Sequence, residues 1–263
     1  MNVFDVADVT YRYQRQVALD ALSMSVVEGT RVGLVGSNGS GKSTLLRLLD
    51  GLYFPETGEV RFCGEPLTEA RFGDDDLAFA FRRRVGLVFQ NPDAQLFNPT
   101  VFDEVAFGPL QLRWPPGEVR TRVAEAMERM RIADLKNRTP QRLSGGEKKR
   151  VAIASVLAMD PDVLLLDEPT AALDPRSQSQ IIDLLVGWAG TGKTVITATH
   201  DLGILEDIAD RCCVLDRGRL VADRSPAALL ADEDLLGRTN LIHAHRHHHG
   251  AAHEHSHPHV HRR

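Results

Sequence analysis

The chain predicts an α/β fold: a mainly parallel sheet covered by helices, with further strands at the N-terminal end and an inserted helical subdomain. Three observations predict it. Short apolar, β-branched runs alternate with helical stretches on both sides of residue 150, an order that gives parallel strands with both faces covered. The run RVGLVG (31–36) enters a glycine-rich loop that leads into a helical stretch. Between residues 99 and 142 the alternation stops, and prolines and helical periodicity replace it.

The elements follow in order. Residues 3–9 alternate loosely, and ALSMSVV (21–27) alternates apolar with small polar side chains, so both are predicted strands. Glu28-Gly29 is a turn, RVGLVG a buried strand, and LLRLLDGL (45–52) a helix. GEVRFCG (58–64) and VGLVFQ (85–90) are strands. Pro109, Pro115 and Pro116 mark the change of character, and Val119, Val123, Met127 and Met130 recur at helical spacing in 117–135. A helix (147–158), the strand VLLLD (163–167), a helix (176–188), the strand TVITAT (194–199), a helix (202–209) and a strand pair within 212–222 complete the series. Residues 1–94 and 160–242 are expected to form the core and 95–159 the helical subdomain. Residues 243–263 lack apolar periodicity and are expected to be a disordered His-rich tail.

Composition bounds the function. The 263 residues are 43% apolar and 25% charged, which is ordinary for a folded chain. With 31 basic against 36 acidic groups, nothing draws the whole chain to nucleic acid, and none is expected as a partner. Ten of the 11 His lie in 243–261, and removing 243–263 takes three Arg and one Glu, leaving a body at −7. Cys63, Cys212 and Cys213 form neither a disulfide framework nor a CxxC pattern, so a reducing cytosol is expected. The first residues do not read as a signal peptide, and the longest uncharged apolar run, 151–159, is too short to span a bilayer. A membrane function would therefore need another chain.

Three motifs carry chemistry. GSNGSGKST (Gly36, Ser37, Asn38, Gly39, Ser40, Gly41, Lys42, Ser43, Thr44) matches GxxxxGK[ST]. Its glycines let backbone N–H groups face phosphates, Lys42 brings a charge to the β/γ-phosphates, and Ser43 offers a hydroxyl to Mg²⁺. VLLLDEP (163–169) delivers Asp167 to a strand end, beside Mg²⁺, with Glu168 near enough to polarise water. LSGGEKKR (143–150) opens a helix with Ser144, Gly145 and Gly146. That start is an anion site, and Ser144 with Glu147 is also a capping box; both readings stand.

Together these elements, in this order, resemble the ATP-binding cassette (ABC) ATPase subunits, over roughly residues 3–235. The resemblance implies an ABC-type P-loop NTPase core, a mainly parallel sheet plus N-terminal antiparallel strands, with an inserted helical subdomain. It identifies residues 36–44 with Walker A, 163–168 with Walker B and the catalytic glutamate, and 143–147 with the signature motif. It places Gln90 in the Q-loop, Asp174 of AALD in the D-loop, and His200 of TATHD at the switch histidine. Tyr13 is the residue expected to stack on adenine, ahead of Tyr11. Two copies are implied to pack head to tail, so that ATP on one P-loop meets Ser144 and Gly146 of the other copy. Glu168 would then orient water, His200 contact the γ-phosphate, and Gln90 reach Mg²⁺. ATP and Mg²⁺ are the implied ligands.

The segment QNPDAQLFNPTVFDEVAFGPLQL (90–112) resembles energy-coupling-factor importers, in particular their cobalt and nickel ATPases; Gln111 and Arg113 depart from that pattern. The resemblance implies a transmembrane coupling subunit and a substrate-binding membrane subunit as partners, with the chain peripheral on the cytoplasmic face of the membrane. Leu96, Phe97, Val101, Phe102 and Phe107 are candidates for an apolar docking floor, or pack the subdomain internally. Asp93, Asp103 and Glu104 are candidates to meet basic partner residues. Imidazoles, many of them at spacing two (His243, His245, His247, His248, His249, His253, His255, His257, His259 and His261), suit Ni²⁺, Co²⁺, Zn²⁺ and Cu²⁺ alike, and only together with the resemblance of 90–112 do they favour cobalt or nickel. A weak metal buffer, an inert tail and an affinity tag remain alternatives for them. An ECF-type ATPase for a vitamin, a soluble non-transport cassette ATPase and a metal-storage protein are the competing functions.

Overall fold

The structure, a computed structural model, describes residues 1–246 and 256–259. Strands β1 (Asn2–Tyr13) and β2 (Gln16–Val27) form an antiparallel pair. β3 (Arg31–Val35) runs through the glycine loop into α1 (Lys42–Leu49). β4 (Thr57–Phe62) and β5 (Glu65–Pro66) join β1 and β2 in a four-stranded sheet, in the order β2-β1-β4-β5. Next come α2 (Glu69–Phe72), α3 (Asp75–Arg84) and β6 (Val85–Val88). The insertion carries α4 (Val101–Gln111) and α5 (Pro116–Arg129), and α6 (Gly145–Leu157) leads back to the core. β7 (Val163–Asp167), α7 (Pro175–Val186), β8 (Thr194–Thr199), α8 (Leu205–Ile208), β9 (Arg211–Asp216) and β10 (Arg219–Arg224) follow. The second sheet runs β10-β9-β3-β8-β7-β6, parallel except for β10.

The central strands are apolar throughout because both faces are covered. Along β7, Val163 and Leu165 pack toward α1 and the N-terminal sheet, whereas Leu164 and Leu166 pack toward α6 and the subdomain. The same alternation separates the adjacent cysteines. Cys212 belongs to one core and Cys213 to the other, and burial pushes each thiol up to about 12.

The helices α2 and α3 lie in a stretch from which sequence periodicity predicts nothing. Only Ala78 and Phe81 of α3 are buried, so it has no apolar stripe to read. Its signals are local: the Asp74 side chain accepts from the N–H groups of Asp76 and Leu77, and three arginines end it. Between α4 and α5, Trp114 lies under two guanidinium groups. Arg83 of the core is 6.0 Å from its ring centroid and Arg122 of α5 is 5.7 Å away, two cation–π contacts that reach the one indole from the two parts.

In the His-rich segment, β11 (His243–Arg246) and β12 (Ser256–His259) pair antiparallel, with His243 opposite His259 and His245 opposite His257. This differs from the expected tail without regular structure; a period-two sequence suits extended backbone. His247, His248, His249, His253, His255 and His261 lie outside the described residues.

Candidate nucleotide-hydrolysis site

The site is assembled at the C-terminal ends of β3, β7 and β8. The loop after β3 is glycine-dependent. Gly41 has φ 108°, a backbone region that disfavours side chains, and an added Cβ there would lie 2.8 Å from the Ala18 carbonyl. A Cβ on Gly36 would lie 2.5 Å from the Leu215 carbonyl. No side chain caps the start of α1, so its first N–H groups are available to an anion. Gly39 faces open space, while Ser37 and Ser40 close the turn through Ser40 N–H to the Ser37 carbonyl at 3.1 Å.

Lys42 is buried, and its Nζ donates to the Gly36 carbonyl at 2.6 Å and the Ser37 carbonyl at 3.3 Å. It lies 3.5 Å from Glu168 Oε1. Ser43 Oγ donates to Asp167 Oδ1 at 3.0 Å. A hydroxyl and a buried carboxylate side by side form an all-oxygen donor set of the kind Mg²⁺ takes. Burial pushes the Asp167 carboxyl up, the Ser43 hydrogen bond pulls it down, and neighbouring Glu168 raises it again. The residues present therefore fit a nucleotide phosphate with its magnesium.

Glu168 is buried with φ 46° and donates its N–H to the Ala198 carbonyl at 2.9 Å. Left-handed backbone at a non-glycine residue is strained, and strain of this kind gathers at functional positions. His200 Nδ1 is 2.9 Å from both Glu168 oxygens, and the imidazole is 53% exposed. The histidine thus orients the carboxylate directly.

Tyr13, at the end of β1, has its hydroxyl 3.3 Å from Thr44 Oγ1 and accepts from Arg47 at 3.2 Å. Tyr11 stacks on Tyr53 at 5.3 Å, and Tyr53 meets the Tyr13 ring edge-on at 5.9 Å. Of the two candidates, Tyr13 is the one bonded to the phosphate loop. Sequence reasoning missed Tyr53 because it follows α1 in an unpatterned loop.

Ser144 caps α6 with both bonds of a capping box: Ser144 N–H donates to Glu147 Oε2 at 2.8 Å, and Glu147 N–H donates to Ser144 Oγ at 3.3 Å. Gly145 borders open space, whereas a Cβ on Gly146 would lie 2.5 Å from Ser177 Oγ. Gly146 is therefore demanded by packing on α7, and Gly145 leaves the helix start open. Asp174 caps α7, its Oδ1 accepting from Ser177 N–H at 3.0 Å and its Oδ2 from Ser177 Oγ at 2.7 Å. The Ser177 hydroxyl holds the carboxyl below the usual range.

Gln90 follows β6, and its side chain is exposed. Its carbonyl accepts from Lys149 Nζ at 2.6 Å, a contact the sequence did not signal because Lys149 sits in a charged run. Burial pulls Lys149 down to about 8, against the pull of Asp167 and Glu168.

The docking candidates separate. Leu96 and Val101 are buried in the core shared by α4, α5, α6 and the central sheet, and Phe102 packs against it, so these three do not form a surface floor. Phe97 and Phe107 are exposed and meet edge to face at 4.9 Å, with Leu110 also exposed. Glu104, expected to face a basic partner, is instead buried, and its Oε2 accepts from Phe97 N–H at 2.9 Å and Asn98 N–H at 2.7 Å. Asp103 and Asp93 stay on the surface, Asp93 paired with Lys148 at 2.7 Å. Among the described residues no helix is long and apolar enough to cross a membrane. Nor, among them, is any group of three His, Cys, Asp or Glu placed to hold a metal ion.

A phosphate loop, a paired Ser43–Asp167 donor set and a histidine-oriented glutamate at one sheet edge define a P-loop nucleotide hydrolase. The ABC transporter family profile matches residues 19–171. The chain is 53% identical over 242 residues to the nickel import ATP-binding protein NikO of Rhodobacter capsulatus, covering 91% of this chain and 95% of that one. It is 44% identical over 240 residues to the energy-coupling factor transporter ATP-binding protein EcfA of Methanothermobacter thermautotrophicus, covering 91% and 76%. The solved structure of cbiO1 from Clostridium perfringens, described as part of the ABC transporter complex cbiONQ, superposes with a TM-score of 0.76 at 37% identity, covering 91% and 95%. A dimeric ATP-binding cassette in a post-hydrolysis state, bound to ADP and Pi, superposes with a TM-score of 0.76 at 30% identity, covering 85% and 98%. The chain belongs to the ABC transporter family. It is an ATP-hydrolysing subunit of that family, similar to energy-coupling-factor and nickel-import ATPases.

Proposed function

We propose that this subunit energises import of a transition-metal cation, cobalt or nickel, through a transmembrane coupling subunit and a substrate-binding membrane subunit. It would work as a head-to-tail homodimer on the cytoplasmic face of the membrane. Similarity to a nickel import ATP-binding protein over nearly the whole chain carries the cargo assignment, and the His-rich segment agrees with it. Resemblance to EcfA supports a second reading, a vitamin or other cargo with the His tail as a metal store.

ATP supplies the transferable phosphoryl group, and Mg²⁺ neutralises charge on it. Lys42 and the N–H groups of residues 37–44 would hold the phosphates, while Ser43, Asp167 and Gln90 would supply oxygens to the magnesium. Tyr13 stacks on the base. Glu168, steadied by His200, orients and deprotonates water. Ser144, Gly145 and Gly146 of one copy close over the nucleotide on the other, with Asp174 at the same seam. Because both halves of the composite site occur in one chain, a homodimer has two competent sites. Hydrolysis reopens the dimer, and ATP drives the cycle by binding the closed state better than the open one.

Lys42→Ala is expected to weaken ATP binding. Glu168→Gln is expected to bind ATP and dimerise in sedimentation yet lose ~10²-fold or more in turnover. Wild-type hydrolysis by the Glu168→Gln protein would remove Glu168 from its role. Uptake of labelled nickel and cobalt by cells making the whole complex tests the cargo, with 1–242 and Lys42→Ala forms alongside. Uptake of neither metal would favour the second reading. Undiminished Ni²⁺ binding by purified 1–242 would remove the tail as a metal ligand.

A further inference from the structure

Lys149 is 2% exposed and makes no carboxylate pair; its ammonium is spent on backbone. It donates to the Gln90 carbonyl at 2.6 Å, the Phe89 carbonyl at 3.1 Å and the Glu168 carbonyl at 3.5 Å. Those carbonyls lie just past β6 and β7, which pair in parallel with Val88 opposite Leu166. Removing the ammonium takes the donor from partly buried acceptors past β6 and a buried one past β7. Gln95 makes a second tie between the same loop and α6. It donates to the Ala152 carbonyl at 2.9 Å and Ser155 Oγ at 3.1 Å, and accepts from Phe89 N–H at 3.2 Å. The loop after β6 is thus fastened to α6 at two levels, and Glu168 is fastened to it at one.

The same helix begins at Gly145, which borders open space. Gly145 and Lys149 are one turn apart, about 6 Å along a hydrogen-bonded helix. A displacement of the helix start is therefore carried rigidly to the Lys149 ammonium.

We propose that Lys149 is a positioning residue that links the two ATP sites of the dimer. The helix that presents Ser144 and Gly146 to the nucleotide on one subunit sets, through Lys149, the Gln90 loop and Glu168 of its own site. Occupation of one site then alters both ATP affinity and turnover at the other, and the affinity part of that coupling acts equally in both directions. The proposal rests on the head-to-tail dimer and the roles given to Gln90 and Glu168 above.

The test compares wild type, Lys149→Met and Lys149→Arg. ATPase is measured in the assembled complex, and amide hydrogen exchange on the isolated chain without nucleotide. Lys149→Met is expected to lower kcat at least tenfold, leave ATP affinity within threefold, and bring the Hill coefficient for ATP to 1. Exchange over residues 89–98 is expected to quicken at least tenfold. Lys149→Arg, which keeps a cationic donor, restores at least half of kcat and the slow exchange. If the Met protein does not fold, Lys149→Gln carries the same expectations for kcat and Hill coefficient. Wild-type kcat and Hill coefficient in Lys149→Met or Lys149→Gln overturn the proposal. So does a wild-type Hill coefficient of 1, or a loss of kcat with exchange over 89–98 unchanged. Turnover retained by Glu168→Gln would instead overturn the underlying assignment of the site.

Discussion

At the scale of single residues, Asp103 and Glu104 show how adjacent carboxylates diverge. Asp103 is exposed and accepts from the Thr100 hydroxyl at 2.6 Å, whereas Glu104 is buried and receives two backbone N–H groups. Glu104→Gln is expected to cost about 1–2 kcal/mol in denaturant unfolding, since a buried carboxylate that accepts two backbone N–H groups is replaced by a neutral amide. Asp103→Asn should change stability by less than about 0.5 kcal/mol, as surface changes usually do. Equal effects at the two positions would contradict this placement. Sequence alone made them equivalent, because DE in a helix start reads as a favourable pair with the dipole wherever it lies. Burial of Glu104 depends on the return of residues 97–98 over α4, which no local pattern encodes.

Among the elements, the start of β3 is held by Asp210, which precedes β9. Its oxygens accept from Arg31 N–H at 3.0 Å and from Arg31 Nη2 at 2.6 Å. The Arg31 hydrogen bonds hold the Asp210 carboxyl below its usual value. The folded state therefore binds this proton less readily than the unfolded chain. The contribution is present above about pH 4 and is lost as pH falls through the lowered value. Asp210→Asn is expected to reduce stability at pH 6 by up to about 1 kcal/mol, as for a partly exposed pair. The difference from wild type should shrink at pH 2.5 in urea titrations. In the subdomain, Phe97 and Phe107 form an exposed aromatic pair. Phe107→Asp should leave thermal stability within about 3 °C and nucleotide binding unchanged, yet abolish pull-down of the transmembrane subunit proposed above; retained pull-down would exclude this face. The elements legible in sequence were those with strong periodicity or glycine punctuation, such as β3, α1, β7 and α6. The polar helices α2 and α3 carried only caps. The helix after β3 was read from residue 45, although it begins at Lys42, because the glycine loop masks its first turn.

Across the whole molecule, the order of motifs made the catalytic edge readable, since the parallel sheet brings β3, β7 and β8 to one end. Tyr53, Gln95 and Lys149 were not readable there. Each reaches the site through a long-range contact, and each is an ordinary residue in its local segment. The Trp114 contacts are of the same kind, and they have an optical consequence. The chain has two tryptophans; Trp188 is buried in the core, and Trp114 contacts both a core arginine and a subdomain arginine. Rotation of the subdomain against the core would pull the indole from one guanidinium and shift its emission, while Trp188 supplies a constant background. Mg-ATP added to Glu168→Gln protein is expected to change the intrinsic fluorescence, and Trp114→Phe to abolish the change. The molecule thus carries a native dye at its own joint.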